Sequence, residues 1–101
     1  MENKKNIKDI IDYSEGGILS KEIKKSDKVD VTLFSMAKDT KISDHTSTKE
    51  GFVYVIEGNG VFTLEEKDIE MKPGTFIFIK ENKVHSLKAK ENTSFLLTLH
   101  K

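Results

Sequence analysis

An all-β domain, folded as a small antiparallel barrel or jelly roll behind a short N-terminal segment, is the fold class that this sequence predicts. Apolar residues recur with period two from Val29 onward. Turn chemistry interrupts the chain about every eight to twelve residues. The strands also follow one another too closely for the crossover helices of βαβ units.

The elements are read in order. Residues 1–27 form the N-terminal segment, with a short helix and an edge strand, and residues 28–101 form the barrel. Within Asn6 to Tyr13, Ile7, Ile10 and Ile11 stand at helical spacing, enough for one turn or an irregular stretch. Gly16-Gly17 punctuates the chain. Val29, Val31 and Leu33 then alternate with Asp30, Thr32 and Phe34, which predicts a strand. Phe52 to Glu57 is mostly aromatic and β-branched and stops at Gly58-Asn59-Gly60, a turn suited to a tight hairpin into Val61 to Leu64. Glu65-Glu66-Lys67-Asp68 turns the chain into Ile69 and Met71, and Pro73-Gly74 turns it again before Thr75 to Ile79. Glu81-Asn82-Lys83 leads to Val84 to Ala89, and Thr93 to His100 is the last strand. The total is about seven to nine strands.

Composition excludes several function classes. The 101 residues suffice for one core without staples. With no cysteine there is no disulfide, thiolate zinc site or thiol nucleophile. Seventeen basic and seventeen acidic residues, interspersed, lack the electrostatic footprint of a nucleic-acid binder. No apolar run reaches the ~20 residues that span a bilayer, and the basic stretch Met1 to Lys8 is not followed by an apolar signal core. The expectation is a cytoplasmic protein that engages neither membrane nor nucleic acid. Net charge zero and open strand edges lead us to expect a homodimer, joined through an outer strand face or exchanged N-terminal strands.

The residues able to do chemistry are few. His45, His85 and His100 are the only imidazoles. Asp44 neighbours His45, but adjacent strand residues face opposite sides, which argues against a dyad. Phe52, Tyr54, Phe62, Phe76 and Phe78 are read as core or dimer-surface packing, with Tyr54 singled out because a buried hydroxyl needs a partner. No Ser-His-Asp arrangement, phosphate-cradling glycine loop or paired-carboxylate signature is present.

Two stretches resemble the cupin superfamily. His45 through Glu50-Gly51-Phe52-Val53-Tyr54-Val55-Ile56-Glu57-Gly58 is similar to its first motif. Lys72-Pro73-Gly74-Thr75-Phe76-Ile77-Phe78-Ile79, continuing to Val84-His85-Ser86, is similar to its second. The resemblance spans about residues 28–100 and implies a small single-domain barrel with a ligand or metal site inside. Of the four metal ligands that the family's motifs supply, His45 and His85 are in place. Ser47 falls where the second histidine of the first motif stands, and Gly51 where its glutamate stands, with Glu50 displaced by one residue. A third ligand would have to come from Glu50, against the strand's facing, or from His100 at the end of the last strand.

Two readings of function follow. The first is a small-molecule-binding domain with a depleted metal site, in which His45, Ser47, His85 and Tyr54 contact a polar ligand. The second is a mononuclear metal-dependent enzyme of isomerase, decarboxylase or dioxygenase type, acting on a small polar organic substrate. It would hold iron, manganese, zinc or nickel on His45, His85 and either Glu50 or His100. The residues fix no cofactor and leave open whether the chain is an enzyme.

Overall fold

Strands form at each stretch that the sequence pattern predicts, and a further one, Lys41–His45, forms where none was expected; their pairing creates one enclosed core. The structure, a computed structural model, describes residues 4–101. Met1 to Asn3, the start of the basic stretch, lie outside the described residues.

A single helical turn, α1 (Ile7–Ile10), is capped by Asn6, whose side chain accepts from the Lys8 N–H at 3.1 Å. Nine strands follow: β1 (Ile18–Lys25), β2 (Val29–Met36), β3 (Lys41–His45), β4 (Gly51–Glu57), β5 (Gly60–Leu64), β6 (Lys67–Met71), β7 (Phe76–Ile79), β8 (His85–Ala89) and β9 (Thr93–His100). They lie in two antiparallel sheets, a five-stranded one ordered β1-β2-β9-β4-β7 and a four-stranded one ordered β3-β8-β5-β6. The nested pairs β2·β9, β3·β8, β4·β7 and β5·β6 are those of a jelly roll. Among the described residues no helix is long and apolar enough to cross a membrane.

The inner faces share one core. Met36, Val53, Val55, Ile77, Ile79 and Phe95 come from the larger sheet, and Phe62, Met71, Leu87 and Ala89 from the smaller. Alternation then sends the even-numbered residues of β4 and β7 outward. Tyr54, Phe76 and Phe78 are 41%, 58% and 52% exposed, and Phe52 stacks on Phe76 with centroids 4.8 Å apart. Of the five aromatics singled out above, only Phe62 is in the core. The other four form an apolar outer face beside the edge strand β7.

Two connections differ in kind although their sequences look alike. Gly58-Asn59-Gly60 is not the tight hairpin expected from its composition: β4 and β5 belong to different sheets, and the chain crosses between them there. Gly58, at φ +104°, lies so close to Asn92 and Thr93 that a Cβ would strike their backbone. The Thr93 hydroxyl both accepts from the Asn59 N–H, at 3.1 Å, and lies 3.0 Å from the Asn59 carbonyl. The glycines here serve close passage over β9 and not strand reversal. The true two-residue hairpin is Glu65-Glu66, between β5 and β6, with φ of 47° and 71°. Two positive φ values mark a type I′ corner, which favours Asn-Gly and strains a glutamate.

The segment ahead of β1 is tied across the outside of the larger sheet. The Tyr13 hydroxyl donates to Glu57 Oε2 at 2.9 Å and also bonds Ser94 Oγ, burying Ser94 and its neighbour Ser35. Burial pushes the phenol up to about 12, with Ser94 opposing and Glu57 adding to the rise, so the hydroxyl stays protonated as a donor. Lys21 Nζ donates to the Ile10 carbonyl at 2.7 Å and holds the preceding turn down.

Candidate functional site

His45 and His85 are forty residues apart in sequence, and the pairing of β3 with β8 sets them face to face. Ile42 pairs with Leu87 and His45 with His85, so three steps along β3 match two along β8. That is a β-bulge with one extra residue. In an unbroken strand His45 would face away from the side taken by Ile42; the bulge returns it to the inside. Both residues line one cavity, while Asp44 lines a depression on the outer surface. The separation of Asp44 from His45 matches what strand alternation predicts.

The two rings meet edge to face, centroids 4.0 Å apart at 66°. His85 is buried, 7% exposed, and its other side stacks on Phe62 with centroids 5.5 Å apart at 9°. His45 is more open and forms the mouth. Beneath them is a cavity of about 40 Å³, lined also by Phe34, Val53, Phe95 and Leu97. By volume it holds about one water at ~30 Å³ each, far less than the several hundred Å³ of an ordinary ligand pocket. A wider depression of about 400 Å³ at Asp44, Thr63, Glu65, Glu66 and Val84 lies outside the smaller sheet and contains neither imidazole.

The protonation of the pair follows from its hydrogen bonds. His45 Nδ1 lies 2.8 Å from the Ser43 carbonyl, and His85 Nδ1 lies 2.9 Å from the Lys83 carbonyl. A carbonyl oxygen only accepts, so each Nδ1 carries a hydrogen, and in the neutral ring each Nε2 is a bare lone pair. Neither Nε2 makes a hydrogen bond among the described residues. In both cases the acceptor lies two residues upstream, within the bulge for His45 and in the loop before β8 for His85.

Burial lowers the His85 pKa from its ordinary value of 6.5; the Lys83 carbonyl opposes the shift and His45 adds to it. The unfolded chain therefore binds the proton more readily, and stability rises with pH across the window between the two values. The contribution should be complete above about 6.5 and decline as pH falls from there to the lowered folded value. Denaturant unfolding at a series of pH values should show this step, and His85→Gln should remove it.

The other candidates lie elsewhere. Tyr54 faces outward, opposite to the cavity-lining Val53, so it is not among the site residues. β4 is apolar on both faces, which hides its parity. Ser47 is in the loop after β3, where its Oγ accepts from the Lys49 N–H at 3.1 Å and its carbonyl accepts from the Asn82 N–H at 2.7 Å. It braces the mouth without lining the cavity. Glu50 and His100 are exposed neighbours, joined by an N–H of His100 donating to the Glu50 carbonyl at 2.9 Å. Both are on the outer face, since Phe95 and Leu97 take the inner side of β9. Gly51 is buried, and a Cβ there would run into the Thr98 carbonyl oxygen.

These placements decide how the donors suit a metal. Among the described residues no three His, Asp or Glu side chains converge. Two imidazoles fall short of the three or four protein ligands that hold a resident transition metal. The donor set does not fit such a group, because the two missing positions are a braced serine and a glycine with no room for a side chain. Sequence reasoning missed the residues that orient the pair, Ser43 and Lys83, because they act through main-chain carbonyls that any residue would supply.

Comparison with known proteins agrees with this architecture. Residues 32–99 match the family model described as a cupin domain. A search of curated proteins finds no match. Among solved structures, a conserved protein of unknown function from Streptococcus pyogenes is 22% identical, with 100% of this chain and 90% of that one covered at a TM-score of 0.89. A cupin superfamily protein from Desulfitobacterium hafniense DCB-2 is also 22% identical, covering 99% and 92%, at a TM-score of 0.89. KdgF from a Halomonas species is 16% identical, covering 88% and 82%, at 0.80. Identities this low speak for the fold alone. The match to the family model over most of the chain, with the jelly-roll pairing and the inward histidine pair, shows that the chain belongs to the cupin family.

Proposed function

We propose that this chain is a small-molecule-binding cupin whose site is the cavity under His45 and His85. The ligand is the hydroxyl or amine end of a small polar molecule. One observation carries the reading: both Nδ1–H groups are taken by main-chain carbonyls, so the site offers two Nε2 lone pairs in an otherwise apolar cavity. Lone pairs in a low-dielectric setting select a hydrogen-bond donor. The cavity's size limits the buried part to a few heavy atoms, with the rest of the molecule at the mouth beside His45. Ser47 supports the site by bracing that mouth.

Ring-proton NMR tests the reading with ethanolamine, ethylene glycol and glycerol as probes and with zinc and nickel as parallel titrants. We expect His45 and His85 resonances to move with at least one organic probe. Dissociation constants should be near millimolar, as ligand efficiency allows for so few atoms. His85→Ala should abolish the shifts. Silence from all three organic probes overturns the reading. Stoichiometric binding of zinc or nickel at micromolar concentration, lost in His85→Ala, would replace it with the metal-dependent enzyme.

A further inference from the structure

Glu65 stands at a position that disfavours it, and its hydrogen bonds and ion pair among the described residues go to Lys83 and Val84, just ahead of His85. It is the first corner residue of the β5–β6 hairpin, at φ 47°, where a glutamate is strained and asparagine or glycine is at ease. Its N–H donates to the Val84 carbonyl at 2.9 Å, and its Oε2 accepts from the Val84 N–H at 3.0 Å. Its Oε1 is 3.8 Å from Lys83 Nζ. Lys83 and Val84 are the two residues before His85, and the Lys83 carbonyl is the acceptor for His85 Nδ1–H. On the other side, the Asn82 N–H donates to the Ser47 carbonyl, so the short loop is gripped at both ends. Glu66, equally strained at φ 71°, makes no hydrogen bond or ion pair among the described residues.

We propose that Glu65 is a positioning residue: by holding Lys83 and Val84 it aims the Lys83 carbonyl at His85 Nδ1 and keeps the Nε2 lone pair bare toward the cavity. A free histidine side chain favours the opposite tautomer, with the hydrogen on Nε2, so the bare Nε2 has to be imposed by its surroundings. The value of that lone pair to a ligand rests on the binding reading above, whereas the control of the tautomer is a property of the protein alone.

The test is the nitrogen and carbon chemical shifts of His85, which report the site of the proton, measured near pH 8 on labelled wild type and on Glu65→Gly, Glu65→Asn, Glu65→Gln and Glu66→Gly. Wild type should be almost wholly in the Nδ1–H form. Glu65→Gly relieves the backbone strain and Glu65→Asn tolerates the turn with a shorter side chain, so both should fold. Each should raise the Nε2–H form several-fold. Glu65→Gln keeps an oxygen for the Val84 N–H and should retain the wild-type tautomer, as should Glu66→Gly, which alters the same turn without touching the grip. A folded Glu65→Gly or Glu65→Asn with an unchanged tautomer overturns the proposal, and so does a wild type already in the Nε2–H form. If the tautomer responds to Glu65 while ethanolamine, ethylene glycol and glycerol all fail to bind, only the binding reading falls. If they bind and the tautomer ignores Glu65, only this proposal falls.

Discussion

Phe62→Ala should cost about 3–5 kcal/mol of stability, as large aromatic truncations in packed cores do. Phe62 is 1% exposed, packs between both sheets and stacks on His85. At about 4–8 °C per kcal/mol for a domain of this size, the melting temperature should fall on the order of 20 °C. The same change widens the cavity on the His85 side. Water entering there relieves the burial that lowers the imidazole, so His85 should titrate closer to its ordinary value. Thermal unfolding and ring-proton titration of one variant check both. A melting temperature within a few degrees of wild type would mean that the core collapses onto the gap, and a cavity so easily closed would not be a preformed site.

Gly51→Glu should unfold the domain without completing a metal centre. In the family's first motif the carboxylate falls at this position, and here the backbone leaves no room for it. An added Cβ meets the Thr98 carbonyl, and Thr98 belongs to β9, which is flanked on both sides by β2 and β4 and has nowhere to move. Gly51→Ala isolates the clash from the charge and should cost about 3 kcal/mol, the upper end for overpacking. That corresponds to a melting temperature lower by roughly 12–24 °C. Circular dichroism with a zinc or nickel titration reads fold and metal together. A well-folded Gly51→Glu that gains a metal would show that β9 can yield and that the ligand set is one substitution from complete.

The fold was legible because its signal is redundant. Val29 to Leu33 alternates clearly, Thr93 to His100 is rich in strand-forming residues, and Pro73-Gly74 and Glu65-Glu66 interrupt the chain where the structure turns. What was not legible depends on single-residue parity. Phe52 and Tyr54 are as apolar as Val53 and Val55, so β4 does not reveal its inner face, and Tyr54 was assigned to the cavity on chemistry alone. Gly58-Asn59-Gly60 reads as a hairpin because composition reports a turn but not which sheet the chain enters next. The histidine pair was visible as two residues of the right type. The bulge that turns His45 inward has no mark in Ile42-Ser43-Asp44-His45, because any residue can be the extra one.

The place of β9 also constrains how the molecule is made. It is the last strand in the chain and the middle of the larger sheet, between β2 and β4, and its Ser94 holds Tyr13 from the opposite end of the sequence. Until Thr93–His100 has left the ribosome, β1-β2 and β4-β7 are separate ribbons with exposed apolar flanks. The Tyr13 segment has no Ser94 to dock on. The two sheets therefore cannot close strand by strand before β9 is in place. The domain closes around β9 in one step, with the long sequence separations that make β-sheet proteins slow to fold and dependent on protection from their neighbours while they wait.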